Sequence, residues 1–210
     1  MSKKERLSEF NRNNILSTAK QLFLEKGVSQ TTMDDIAKKA EYSKSTIYVY
    51  FKGKDEIFNY IVLEYITLLK KGVDEALAIT ENFPDGYFAI CNTLVNFYDT
   101  YPLYFESILG EIKIVTDESD DALSQIYMIG EQINNTIENY IGICISNGNI
   151  RADLNFLNQT TFALWASICG IISLANKKEK YINQSMGISR ETFMRNGFSL
   201  LLQSILPDRQ

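Results

Sequence analysis

The stretch Ser43-Lys44-Ser45-Thr46-Ile47-Tyr48-Val49-Tyr50 has a narrow apolar stripe, and its other sides carry hydroxyls, an ammonium and phenols. Ser43 suits an N-cap, because its short side-chain oxygen can accept from a backbone N–H in the first helical turn. This predicts a short helix from Lys44 to about Tyr50, with Ile47 and Val49 expected to be buried and Phe51 turned toward the core. So short a helix is not stable alone, and the preceding residues supply its support. Residues 12–28 place Ile15, Leu16, Ala19, Leu22 and Phe23 on one helical face, and Gly27 is a natural stop. Thr31 or Thr32 can cap a second short helix, with Asp34 or Asp35 near its positive end. Met33, Ile36, Ala37 and Ala40 are its inward face. Glu41-Tyr42 then breaks the pattern. One longer and two short helices with tight polar joints make a helix-turn-helix unit, in which the third helix is shaped to enter a major groove.

Beyond the turn Lys52-Gly53-Lys54 the pattern stays helical. A long helix is predicted over about 55–78, with Ile57, Phe58, Ile61, Val62, Tyr65, Leu68 and Leu69 at helical spacing. Pro84 and Pro102 sit where helices begin and predict helices near 84–100 and 102–115. Residues 116–121 form an acidic break, and a further long helix over about 121–146 ends at Asn147-Gly148. Asp153 is expected to cap a helix over about 154–175, residues 177–186 to form a polar loop, and Ser189 to cap a last helix that stops before Pro207. No strand pattern stands out. The expected fold is all-α with about nine helices: an N-terminal three-helix domain over residues 1–54 and a helical domain over 55–210.

Composition narrows the function classes. Of the 210 residues 45% are hydrophobic and only three are proline, which allows long helices and a large core. The net charge is −5, unevenly spread. Residues 1–54 hold eleven Lys and Arg against six Asp and Glu, whereas the rest holds ten against twenty. A basic head on an acidic body points to a polyanion-binding module. There is no histidine, which removes imidazole acid–base chemistry and the commonest zinc ligand. No phosphate-cradling glycine loop or paired-carboxylate motif is present, so the reading is not an enzyme and needs no cofactor or metal. Cys91, Cys144 and Cys169 lie in apolar contexts and are expected to be reduced, in a cytoplasmic protein. The charged start has no apolar signal segment. The apolar run 162–175 is too short to span a bilayer comfortably and reads as a buried helix, so no membrane partner is expected.

The pattern Asn14-Ile15-Leu16, Ala19, Leu22-Phe23, Gly27, Thr31-Thr32, Ile36-Ala37, Ala40, Ser43, Thr46-Ile47-Tyr48-Val49-Tyr50-Phe51 and Lys54 resembles the DNA-binding domain of the tetracycline-repressor (TetR) family. The resemblance covers roughly residues 12–58. The segment Gly148-Asn149-Ile150-Arg151-Ala152-Asp153-Leu154, followed by Trp165 and Gly170, is similar to the entry into that family's eighth helix. The resemblance implies base contacts from Lys44 and Ser45, and phosphate contacts from Thr46, Tyr48, Tyr50, Lys54 and Thr32. Ser43 opens the same helix and is counted with this DNA-binding set. Hydroxyls and an ammonium are suitable donors to phosphate oxygens, and a lysine can donate to guanine. Where the family often has Gly then Val in the turn, this chain has Glu41 and Tyr42, so Glu41 is expected to tolerate a left-handed backbone. Lys3, Lys4 and Arg6 read either as a solvated terminus or as an arm tracking the DNA backbone.

The helices at 154–175 and 189–206 are apolar nearly all round, so they need cover on more than one side. A second copy is expected to supply it, through Ala163, Ala166, Ser167, Gly170 and Leu174 on the first helix and Met194, Gly197, Phe198, Leu201 and Ile205 on the second. The resemblance points the same way. Many tyrosines on inward faces suggest an apolar pocket with polar tips, lined by some of Phe97, Tyr101, Phe105, Tyr127 and Trp165. The expected function is a dimeric regulator, a repressor by the family's habit. It would bind a palindromic operator in double-stranded DNA and be released by a small apolar or aromatic effector. The alternative is a helical interaction protein that does not bind DNA.

Overall fold

The computed structural model describes residues 2–80, 82–110, 121–151, 153 and 156–207, apart from the side chain of residue 121. Every regular element among them is a helix. Helix α1 (Lys3–Lys26) begins at a capping box: Ser2 accepts from the Glu5 N–H, and the Glu5 carboxylate accepts from the Ser2 N–H. That local pair carries the helix back over Lys3, Lys4 and Arg6, which are therefore helical and not a loose arm. Gly27, at φ 83°, ends it.

Helix α2 (Met33–Lys39) starts from a second capping box, Thr32 with Asp35. Helix α3 (Lys44–Tyr50) starts from Ser43, whose Oγ accepts from the Thr46 N–H at 3.1 Å. Within α3 only Ile47 is buried. Val49, expected inside, is 79% exposed. At about 100° per residue it stands some 200° around the helix from Ile47, whereas Phe51 returns to the buried side. Helix α4 (Lys54–Ala78) follows directly.

Two compact units form: Met1–Thr67 with Glu106–Met128, and Leu68–Phe105 with Ile129–Gln210. In the first, Ile15, Ala19, Ile36, Ile47, Ile57 and Ile61 are fully shielded from water. Phe23 meets Phe58 edge-to-face at 5.7 Å, and the Arg12 guanidinium lies 3.9 Å from the Tyr60 ring centroid and 4.9 Å from that of Phe51.

The second unit is built from the end of α4, α5 (Phe83–Thr100), the start of α6 (Pro102–Ile108), most of α7 (Asp121–Ser146), α8 (Leu157–Lys177), the short α9 (Glu179–Tyr181) running into a π turn (Ile182–Met186), and α10 (Arg190–Ile205). Polar ties join its helices. The Tyr87 hydroxyl donates to the Phe198 carbonyl at 3.0 Å, and Arg190 donates to both Asp99 oxygens at 2.7 and 2.8 Å and to Asn176 Oδ1 at 2.6 Å. Gly197 lies so close to α8 that a Cβ there would come within 3.0 Å of Ile171 Cδ1. Gly86 likewise admits Tyr140, whose hydroxyl would stand 2.0 Å from any added Cβ.

Several expectations change. Residues 177–186 are largely helical and not a loop, because Ile182 is buried and anchors the π turn. Asp153 does not cap α8. It pairs with Arg151, and the helix starts at Leu157 behind Phe156, which has φ 60° and makes no side-chain cap. The far end of the expected 102–115 helix, most of the acidic break, and Ala152 and Leu154 lie outside the described residues. Cys91, Cys144 and Cys169 are free and buried. Burial pushes the thiols of Cys91 and Cys169 up to about 12, so they hold their protons at neutral pH.

Candidate functional site

The joint between α2 and α3 decides how α3 is presented. Tyr42 N–H donates to the Ala37 carbonyl at 3.0 Å, and Glu41 N–H to that of Lys38 at 3.4 Å. This is a Schellman closure, whose left-handed position is usually glycine. Here it is Glu41, at φ 60°. The expected left-handed backbone is present, and a Cβ-bearing residue carries it at a cost. Glu41→Gly is therefore expected to raise the unfolding free energy by about 1 kcal/mol. Chemical denaturation checks this, and an unchanged or lower midpoint would count against strain at the turn.

With Ile47 held inside, Ser43, Lys44, Ser45, Tyr48 and Val49 are exposed on the outer side of α3. Their hydroxyl, ammonium, phenol and methyl groups are suited to phosphates and base edges, and an exposed Val49 can meet a thymine methyl. Sequence reasoning missed Val49. Its two-residue offset from Ile47 was the signal that could have found it.

Polar contacts set the remaining side chains. Tyr42 donates to Asn11 Oδ1 at 2.9 Å, and Asn11 Nδ2 donates to the Tyr50 hydroxyl at 3.0 Å, which leaves the Tyr50 proton able to donate outward. Ser43 Oγ lies 2.8 Å from Ser45 Oγ and 2.7 Å from Thr46 Oγ1. Thr32 Oγ1 donates to Asp35 at 2.6 Å, so its hydroxyl serves the cap. Lys54 is turned to the chain itself: its Nζ donates to the Val28 carbonyl at 2.7 Å and to that of Ser29 at 3.4 Å. Lys44 Nζ meets Asp34 at 2.9 Å, and this carboxylate raises the lysine pKa. Asp35, hydrogen-bonded by Lys26 and Thr32, is held well below the usual carboxylate range. Part of the head's basic excess is thus paired at its own surface.

The remaining site residues separate clearly. On α8, Ala163, Ala166, Gly170 and Leu174 are exposed and Ser167 is partly so. Phe162, Ala166, Gly170 and Leu174 stand four residues apart on one open face. On α10, Met194, Phe198 and Ile205 are buried in this chain's own core, which removes their side chains from any surface for a second copy. Gly197 packs on Ile171, and Leu201 is half-buried. Leu200, at 69% exposure, is the open apolar residue there.

Of the five aromatics read as pocket-lining, Phe97 packs on Tyr101 and Phe105 at centroid distances of 5.5 and 6.4 Å, as core. Tyr127 belongs to the other compact unit and is exposed. Trp165 lines a cavity in the second unit, together with Phe83, Tyr87 and Tyr140, which sequence reasoning did not single out. Among the described residues no group of His, Cys, Asp and Glu is placed to hold a metal.

Residues 15–61 match the family described as "Bacterial regulatory proteins, tetR family". The chain is 28% identical over 134 residues to the HTH-type transcriptional regulator YhgD of Bacillus subtilis, covering 64% of this chain and 66% of that one. The fold is similar to that of the ketosteroid transcriptional regulator KstR2 of Mycobacterium tuberculosis, with TM-score 0.68, 16% identity, and 94% and 95% of the two chains covered. It is also similar to the transcriptional regulator FadR of Bacillus subtilis in complex with stearoyl-CoA, with TM-score 0.65, 16% identity, and 90% and 96% covered. These proteins are named as regulators, not enzymes. The matched residues include the capped turn and the short α3 described above, and over them the chain is similar to the tetR family of bacterial regulatory proteins.

Proposed function

We propose that this chain is a ligand-responsive transcriptional regulator of the cytoplasm, which binds a palindromic operator in duplex DNA as a homodimer. Residues 1–54 form the DNA reader, and 55–210 form the dimerising and sensing body. It acts as a repressor, and a small apolar or aromatic effector releases it. The observation that carries this reading is α3: its single buried side chain, Ile47, leaves Ser43, Lys44, Ser45, Tyr48 and Val49 facing outward together. Such a helix reads only a few base pairs, so two heads about one helical turn of DNA apart are needed to read a palindrome. The open face of α8, with Phe162 at 61% and Leu174 at 51% exposure, supports cover by a second copy.

Helix α8 is also long and apolar enough, by composition, to cross a membrane. Its packing against α10, with Gly197 on Ile171, supports a bundle helix instead. The complex of the FadR neighbour with stearoyl-CoA supports a small-molecule effector. Effector binding shifts the population toward a dimer whose heads no longer match the operator spacing. Helix α4 links the head to the body along the chain.

Selection from a random duplex library, followed by gel-shift titration at several salt concentrations, tests the reading. A palindrome is expected to be enriched, with affinity falling steeply as salt rises. Lys44→Ala is expected to relax base preference at one position per half-site, by about 1–3 kcal/mol of discrimination. Selection of no sequence by the wild-type protein would favour the DNA-independent interaction protein.

A further inference from the structure

In the second unit, a cavity of about 30 Å³ lies between α5, α7, α8 and α10. Among the described residues its wall is apolar and aromatic and includes no Asp, Glu, Lys or Arg. The hydroxyls of the two tyrosines in that wall are already engaged: Tyr87 donates to the Phe198 carbonyl at 3.0 Å and Tyr140 to that of Phe83 at 3.1 Å. Thr161 is different. It is 2% exposed, lines the cavity, and its Oγ1 has no hydrogen-bond partner among the described residues. A helical threonine ordinarily returns its hydroxyl to the carbonyl one turn back, and a buried hydroxyl left unpaired is costly. Trp165, one turn further along α8, shares this wall.

We infer that this cavity binds a small neutral molecule with an apolar body and one hydrogen-bonding oxygen, which Thr161 Oγ1 anchors. The inference rests on the reading of the body as a ligand sensor and names the chemistry of its site. Neutrality follows from the wall, which offers a carboxylate or ammonium no counter-charge in a dry place. Access follows from exposure. Leu164, Trp165 and Tyr140 are the partly exposed members of the wall, while Thr161, Ile141 and Ile168 are buried. The opening therefore lies at Leu164 and Trp165, which swing aside to admit a body larger than the resting cavity.

Trp165 is the sole tryptophan of the chain, so its fluorescence reports on the cavity. The test titrates 1-hexanol, hexane and hexanoate into the full-length protein. Hexanol and hexane are expected to shift the emission saturably, and hexanoate is not. Thr161→Val keeps the shape of the side chain and removes the hydroxyl. It is expected to weaken hexanol binding about tenfold while leaving hexane unchanged, and Thr161→Ser to restore hexanol binding. Comparing each ligand with itself across variants removes differences in partitioning. No saturable shift with either neutral probe, tight binding of hexanoate, or an equal effect of Thr161→Val on hexanol and hexane would overturn the inference. Gel-shift release is scored separately. A Thr161-dependent hexanol site without release of DNA leaves the site standing and counts against the effector reading instead.

Discussion

Replacing Ile47 with alanine is expected to destabilise the N-terminal unit by about 2–5 kcal/mol and to abolish DNA binding at ordinary protein concentrations. Ile47 is fully buried and is the only buried residue within α3. Two effects add. The truncation loses the transfer free energy of the removed groups, and it leaves a cavity in the shielded core of the unit. A seven-residue helix has little stability of its own, so its orientation depends on that contact. Val49→Ala is the matched control. It shortens a side chain of the same helix that is open to water, and its effect on stability is expected to stay within about 0.5 kcal/mol. Urea denaturation followed by circular dichroism separates the two variants. Equal midpoints would mean that Ile47 is not what clamps α3.

Ala166→Arg is expected to turn the proposed dimer into a monomer, halving the mass in sedimentation equilibrium and lowering operator affinity by more than about 100-fold. In the single chain Ala166 is exposed, in line with Phe162, Gly170 and Leu174, so an arginine there is solvated and folding is undisturbed. A two-fold interface carries the substitution twice, once from each copy, and each arginine would be buried without a counter-charge. A lone head keeps its half-site contacts and loses the coupling that a second head provides. An Ala166→Arg protein that remained dimeric would move the interface off this face of α8.

Much of the reader was legible locally. Ser43 and Thr32 start α3 and α2 through side-chain oxygens that accept from N–H groups three residues ahead, and such bonds need no distant partner. The same chemistry placed Ser189 before α10. The pairing of Lys44 with Asp34, and of Lys54 with the Val28 and Ser29 carbonyls, was not legible, since each joins separate helices or turns.

The caps of α2, α3 and α10 and the stop at Gly27 were therefore legible in the sequence alone, because caps and stops act over one or two turns. The left-handed turn at Glu41 followed from the family resemblance, and the exposed Val49 and the helical residues 177–186 were not legible. The tertiary structure alone decided which side of an all-apolar helix meets which neighbour. Periodicity marks a face as apolar without saying what covers it, and α10 shows the consequence. Met194, Phe198 and Ile205 go to the chain's own core, and Leu200 is left open. The cavity follows the same rule. Trp165, Thr161, Tyr87 and Tyr140 come from three helices far apart in the chain, and only the packing of those helices makes them one wall.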